Sequence, residues 1–177
     1  MDAKGLTHIY YGNGKGKTTA ALGLALRAAG YGKSVVIVPF LKDWKCGEFA
    51  SLSHIENIAL LKRNDIGGGF VKDMSAEAKS ALTEKYSENL SAALKMQEEG
   101  KCDMLVLDEA LDAYQLGVLD SMLFESLLIN KPDALELVIT GHMVDEKFLE
   151  YAHYVTQMVK HKHPYDDGIQ ARRGVEF

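Results

Sequence analysis

Gly12-Asn13-Gly14-Lys15-Gly16-Lys17-Thr18-Thr19 stands between a β-rich segment, Thr7 to Tyr11, and a run of helix formers, Thr18 to Ala29. Glycines at these spacings let the main chain turn its N–H groups toward a common point with no Cβ in the way, which makes a concave nest for an anion. The helix that follows adds the positive end of its dipole to the same point. Lys17 supplies a full charge for phosphate oxygens, Thr18 a hydroxyl of the kind that ligates Mg²⁺, and Lys15 a second cation. Gly12, Asn13, Gly14, Lys15, Gly16, Lys17, Thr18 and Thr19 are therefore read as contacts to a nucleotide's phosphates. The spelling departs from the usual G-x-x-x-x-G-K-[ST] in one respect. Its first glycine belongs at position 11, which is Tyr11, so the loop begins at Gly12 and is one residue shorter.

Outward from the loop, strand and helix patterns alternate. Ser34 to Val38 is a continuous apolar strand of the kind buried on both faces of a parallel sheet. Ile58 to Lys62 is a weaker strand. Ser75 to Glu99 reads as the longest helix, with Ala78, Leu82, Tyr86, Leu90 and Leu94 on one stripe and Gly100 closing it. Met104 to Leu107 is a short buried strand that runs into Asp108-Glu109. A helix over Leu119 to Ile129, a strand over Leu135 to Thr140, a helix over Asp145 to Ala152 and a last strand over Tyr154 to Lys160 complete the series. This order predicts an α/β, P-loop NTPase-like three-layer fold, a mostly parallel sheet flanked by helices, with residues 1–177 as one domain. Ligands of such sheets sit beyond the carboxyl ends of the strands. The glycine-punctuated segments Lys42 to Phe49 and Asn64 to Met74 follow strands, so both are expected to be irregular and to lie over that edge. Asp108 and Glu109 are the candidate Mg²⁺ ligands beside Thr18, with nothing in the spacing to say which lies innermost.

The composition is that of an ordinary globular domain: 177 residues, 47% hydrophobic and 25% charged, which excludes a disordered or collagen-like chain. The net charge of −5, without runs of one sign, gives no electrostatic footprint for nucleic acid or anionic lipid. The longest apolar run, Val35 to Leu41, is far short of the roughly 20 residues of a bilayer span, and Met1 to Gly5 lacks the apolar core of a signal peptide. Cys46 and Cys102 read as reduced thiols, and a cytoplasmic protein is expected. Asn130-Lys131-Pro132-Asp133 spells a guanine-reading motif, but it follows a helical pattern rather than a strand. The window after the acidic strand, Asp108-Glu109-Ala110-Leu111, also has leucine where a GTP switch needs glycine.

The short loop resembles that of the ATP:corrinoid adenosyltransferases. The likeness continues through Ala20-Ala21-Leu22-Gly23, Ala25-Leu26-Arg27-Ala28 and Gly30-x-Gly32-Lys33 into Phe40-Leu41-Lys42 and Gly47-Glu48. It resumes at Leu107-Asp108-Glu109, Ile139-Thr140-Gly141, His163-Pro164-Tyr165-Asp166 and Gly168-Ile169, and the final Ala171-Arg172-Arg173-Gly174-Val175-Glu176-Phe177 is similar to the family's terminus. These matches span nearly the whole chain in the family's order.

The resemblance implies a transferase in which a Co(I) corrinoid attacks the 5′ carbon of ATP and triphosphate leaves, with the nucleotide reversed in its loop relative to kinases. It implies catalytic roles for Lys17, Thr18 and Phe70, with Glu109 as the first choice of metal partner and Arg27 as a further nucleotide contact. A flavoprotein reductant and a homodimer are also implied. Phe70 matches one of the family's aromatic residues that exclude the lower cobalt ligand; the second, a Trp two residues later in better-known members, is Lys72 here. Trp44 is the candidate replacement and a substrate wall, or else a packing residue. His142 stands where relatives commonly carry Arg after Thr-Gly. His161 and His163 read as a solvated edge-strand face rather than a metal site. The alternative supported by the loop and acidic strand alone is a small ATP-dependent kinase or hydrolase, and the departures leave room for a non-catalytic nucleotide- or corrinoid-binding module.

Overall fold

The computed structural model describes residues 4–42, 46–61 and 71–176. Six parallel strands form one sheet in the order β3-β2-β4-β5-β1-β6, where β1 is Thr7–Tyr11, β2 Val35–Pro39, β3 Ile58–Leu60, β4 Met104–Asp108, β5 Glu136–Gly141 and β6 Tyr154–Gln157. β2 and β4 are buried along their whole length, as expected of central strands between two helical layers. The strand period of two divides their side chains between the layers. Val35, Ile37 and Val106 pack with α1 (Lys17–Gly30) and α2 (Gly47–Leu52). Val36, Val38, Leu105 and Leu107 pack with α3 (Ala76–Glu98), α4 (Ala110–Gln115) and α5 (Ser121–Ile129). The fold is the expected P-loop-type three-layer α/β arrangement.

α1 meets the sheet through Ala21, Ala25, Ala28 and Ala29, small residues that bring the helix close to the strands. α3 buries Leu82, Tyr86 and Leu90 from the predicted stripe, while Ala78 and Leu94 at its ends are only partly covered. Ser75 caps α3 by accepting from the Ala78 N–H at 3.2 Å, and Asp120 caps α5 by accepting from Leu123 at 3.0 Å. The helix reading of the stretch before Asn130 holds: Asn130 is the C-cap of α5. No helix among the described residues is long and apolar enough to cross a membrane.

The structure differs from the sequence reading in several places. The segment expected to be irregular up to Phe49 contains α2, held down by the buried Phe49 and Leu52. The other such segment ends in a 3-10 turn at Val71–Asp73; its residues 64–70 lie outside those described. α4 directly follows Asp108-Glu109 and carried no periodic signal of its own. The helix expected over Asp145 to Ala152 is a 3-10 helix, Glu146–Tyr151, with Asp145 as its cap. β6 ends at Gln157, before the histidines, so His161 and His163 are not strand residues. His163 instead caps a 3-10 turn at Pro164–Asp167, accepting from the Tyr165 N–H.

Candidate active site

The carboxyl ends of β1, β4 and β5 open on one edge of the sheet, and the glycine loop bridges from β1 to α1 along it. Gly12 and Gly16 have φ of 116° and 111°, positions that strain any side chain. The loop is packed tightly on the chain that continues β6. A Cβ on Gly12 would stand 2.3 Å from the Met158 carbonyl oxygen, and one on Gly14 would stand 2.8 Å from it. Gly14 N–H donates to that oxygen at 2.8 Å, Gly12 N–H to the His142 carbonyl at 3.0 Å, and Asn13 accepts from the Lys160 N–H at 2.9 Å. The first half of the loop is thus spent on anchoring, and Asn13 is an anchor. The second half is left for a ligand: α1 has no side-chain cap and no acid in its first turn, so its orphan N–H groups await an external acceptor. Lys17 folds back on the Gly14 carbonyl at 3.0 Å. Burial pushes its ammonium below the ordinary lysine range, opposed by the carboxylates of Asp112, Glu109 and Asp108.

The acidic pair is resolved by depth. Asp108 is fully buried, and its Oδ1 accepts from the Thr18 hydroxyl at 2.9 Å and the Thr140 hydroxyl at 2.8 Å. Lys42 reaches in from the end of β2, 2.6 Å from Asp108 Oδ2, 2.6 Å from Thr18 Oγ1 and 3.9 Å from Glu109. A cation therefore already rests on the hydroxyl and carboxylate that the motif assigns to Mg²⁺. This oxygen donor set is of the hard kind that ion prefers. Two non-glycine residues among those described have left-handed backbones, Leu41 at φ 55° and Glu109 at φ 60°, and both flank this point. Each holds its turn at a cost of order 1 kcal/mol or more. The Leu41 turn is fixed by its N–H on the Tyr86 hydroxyl at 2.7 Å, and the Glu109 turn by its N–H on Thr140 at 2.8 Å. Burial raises the Glu109 carboxyl to about 7, with Lys42 pulling it down and Asp108 and Asp112 pushing it up.

A cavity of about 890 Å³ covers this edge, large for a small-molecule site. Its floor is the loop from Gly14 to Thr19. One wall runs along α1 over Leu22, Gly23 and Leu26, another along α2, and Glu109 and His142 close one side. Gly174, Val175 and Glu176 lie across the mouth. Lys15 is 3.4 Å from both the Val175 carbonyl and the Glu176 carboxylate. Arg172, 3.0 Å from Glu176, holds that carboxyl at about 2.

Of the residues singled out by sequence, Gly14 through Thr19 and Glu109 meet in the cavity, and Asp108 lies directly beneath Thr18. Arg27 does not join them. It is exposed in the last turn of α1, about 15 Å along the helix from Lys17, and its neighbour Leu26 lines the cavity in its stead. Trp44 and Phe70 lie outside the described residues. Sequence reasoning missed Lys42, Thr140 and Asp112 as site groups. The first two sit inside matched segments, Phe40-Leu41-Lys42 and Ile139-Thr140-Gly141, which was the available signal.

The family model described as ATP:corrinoid adenosyltransferase BtuR/CobO/CobP matches residues 3–177. The corrinoid adenosyltransferase of Escherichia coli K12 is 32% identical, over 100% of this chain and 88% of its own. Corrinoid adenosyltransferase CobA of Salmonella typhimurium is 30% identical, with the same coverage. A solved structure, C. elegans PCH-2, is a distant likeness with a TM-score of 0.46 at 16% identity, over 86% of this chain and 35% of that one. The full-length family match and these relatives place the chain in the ATP:corrinoid adenosyltransferase family.

Proposed function

We propose that this enzyme transfers the 5′-deoxyadenosyl group of ATP to the Co(I) centre of a corrinoid and releases intact triphosphate. The observation that carries the reading is one continuous cavity with an anion cradle at its floor and a largely apolar wall along Leu22, Gly23 and Leu26. That shape suits a polyphosphate tail joined to a nucleoside. Co(I) is a strong nucleophile, so no general base is required, and the residues' task is to position the 5′ carbon and neutralise a leaving group of about four negative charges. Lys15, Lys17 and the free N–H groups of the first turn of α1 supply that positive field. Thr18, Asp108 and Glu109 would hold Mg²⁺, which would add charge neutralisation at the phosphates. Lys42 would then leave the position it shares with them.

The finer assignments belong to the same proposal. Phe70 acts at the lower face of the corrinoid, where loss of the axial base makes cobalt reducible, and Trp44 walls the substrate. A flavoprotein delivers the electrons, and the enzyme works in the cytoplasm as a homodimer. The test is an optical assay of cobalt–carbon bond formation with chemically reduced cobalamin and Mg-ATP. Adenosylated product that disappears with Lys17→Ala supports the proposal; absence of product from the wild type, or full activity in the variant, overturns it.

A further inference from the structure

Asp108 is fully buried at the end of β4, and its two oxygens are served differently. Oδ1 accepts from the Thr18 and Thr140 hydroxyls, whereas Oδ2 has no hydrogen-bond donor among the described residues. Oδ2 has a charge instead. The Lys42 ammonium lies 2.6 Å from it, without the alignment of a hydrogen bond, and 2.6 Å from Thr18 Oγ1. A buried carboxylate is costly without a cation, so the ammonium is held there in the ligand-free protein.

The main chain that carries Lys42 is fixed relative to Asp108. Phe40 N–H donates to the Asp108 carbonyl at 2.9 Å, and the left-handed Leu41 is tied to the Tyr86 hydroxyl. The four-carbon stem has more freedom. Lys42 lines the cavity beside Gly14 to Thr19, with 14% of its side chain exposed. An ammonium on a flexible stem is a point charge that can serve either of two anions within its reach. One is Asp108, and the other is a phosphate resting on Thr18 and the loop.

A divalent cation on Thr18, Asp108 and Glu109 needs the place that this ammonium holds. Evicting the ammonium with nothing to receive it adds to the positive charge around Lys17, which Lys42 already disfavours. A polyphosphate in the loop removes that cost, because its oxygens accept the ammonium. The two ligands therefore favour one another, and the coupling is reciprocal.

We propose that Lys42 is an exchangeable cation that couples metal to polyphosphate: it neutralises Asp108 in the ligand-free protein and moves to the phosphate oxygens when a divalent ion binds. The proposal rests on the reading of the cavity as the ATP site, with Thr18, Asp108 and Glu109 as metal ligands. Lys42 makes the site poor at taking up a free divalent ion and good at taking up the metal–polyphosphate complex.

The experiment pairs two titrations. Mn²⁺ alone is added while the free ion is followed by electron paramagnetic resonance, and Mg-tripolyphosphate is added in a calorimeter. Wild type, Lys42→Met, Lys42→Met combined with Asp108→Asn, and Lys17→Ala are compared. Lys42→Met is expected to bind Mn²⁺ alone about tenfold more tightly than wild type, yet Mg-tripolyphosphate about tenfold more weakly. Neither a purely structural lysine nor a simple phosphate ligand gives opposite signs from one substitution. Adding Asp108→Asn should abolish the Mn²⁺ gain. Carbon-13 lysine NMR reports on the unaltered protein. The Lys42 side-chain signal, identified by its loss in Lys42→Arg, should shift when Mg²⁺ and tripolyphosphate are added together and stay in place with millimolar Mg²⁺ alone. Three results, seen alongside weakened Lys17→Ala, each overturn the role of Lys42: equal Mn²⁺ affinity in wild type and Lys42→Met, undiminished Mg-tripolyphosphate binding by Lys42→Met, or a Lys42 signal that moves with Mg²⁺ alone. A Mn²⁺ gain that survives Asp108→Asn overturns it as well. Lys17→Ala binding Mg-tripolyphosphate as well as wild type overturns the cavity reading and this proposal with it.

Discussion

Glu109→Gln should stabilise the ligand-free protein at high pH and leave it unchanged at low pH. Glu109 sits in a left-handed turn with 26% of its side chain exposed, and its carboxyl is lifted from 4.5 to about 7, chiefly by burial. A folded-state value above the unfolded one means that the folded chain holds the proton longer. The stability tied to that proton is whole below pH 4.5, falls as pH rises, and is gone above about 7. At about 1.4 kcal/mol per unit the full span is about 3 kcal/mol, an upper figure because a quarter of the side chain meets water. Glutamine keeps the shape and carries no charge. Urea unfolding in EDTA at pH 5, 6, 7 and 8 should therefore show the variant gaining on wild type by up to about 3 kcal/mol at pH 8 and by less than about 1 kcal/mol at pH 5. Parallel curves for the two proteins, or a wild type that grows more stable across this range relative to the variant, would refute the burial argument. The same substitution should weaken Mg-ATP binding, since a site that costs stability when empty is often one that serves a ligand.

Lys42→Met leaves Asp108 charged and fully buried without the cation that contacts it, so the metal-free protein should lose about 3 kcal/mol in urea unfolding. Millimolar Mg²⁺ should restore part of that loss, and a variant as stable as wild type contradicts the placement. Gly141→Ala pushes a methyl against Leu111, which should cost about 1–3 kcal/mol of stability and weaken ATP binding by moving α4. Unchanged thermal unfolding would show that α4 yields freely there. Phe70→Ala should slow adenosylation when oxidised corrinoid and a reductant are supplied, and restore it with pre-formed Co(I). Equal losses under both conditions would remove Phe70 from the reduction step.

The parts of this molecule that carry their own local signal were legible in sequence. The phosphate loop announces itself because its glycines, its lysine and the strand and helix around it all serve one backbone geometry. α3 is legible from a stripe sustained over many turns, and β2 and β4 from unbroken branched apolar runs. α2 and α4, at six residues each, are too short to show a period, and they exist because Phe49, Leu52 and Leu111 find a core to bury in. Asp145 signalled a helix start, but the turn that follows winds as 3-10. The depth order of Asp108 and Glu109 was undecidable because it depends on the left-handed turn at Glu109, which spacing does not reveal. Lys42 and Asp112 were invisible for a related reason. Lys42 reaches the site from beyond the end of β2 and Asp112 from α4, the latter only because Gly141 leaves room.

The central claim is that the cradle holds the polyphosphate so that the ribose carbon, and not a phosphorus, meets the attacking centre. Phosphorus-31 NMR of the reaction of Mg-ATP with a Co(I) corrinoid reads this directly. Tripolyphosphate released in step with the cobalt–carbon product is the result predicted here. Orthophosphate or pyrophosphate as the primary product, formed with or without the corrinoid, would contradict it.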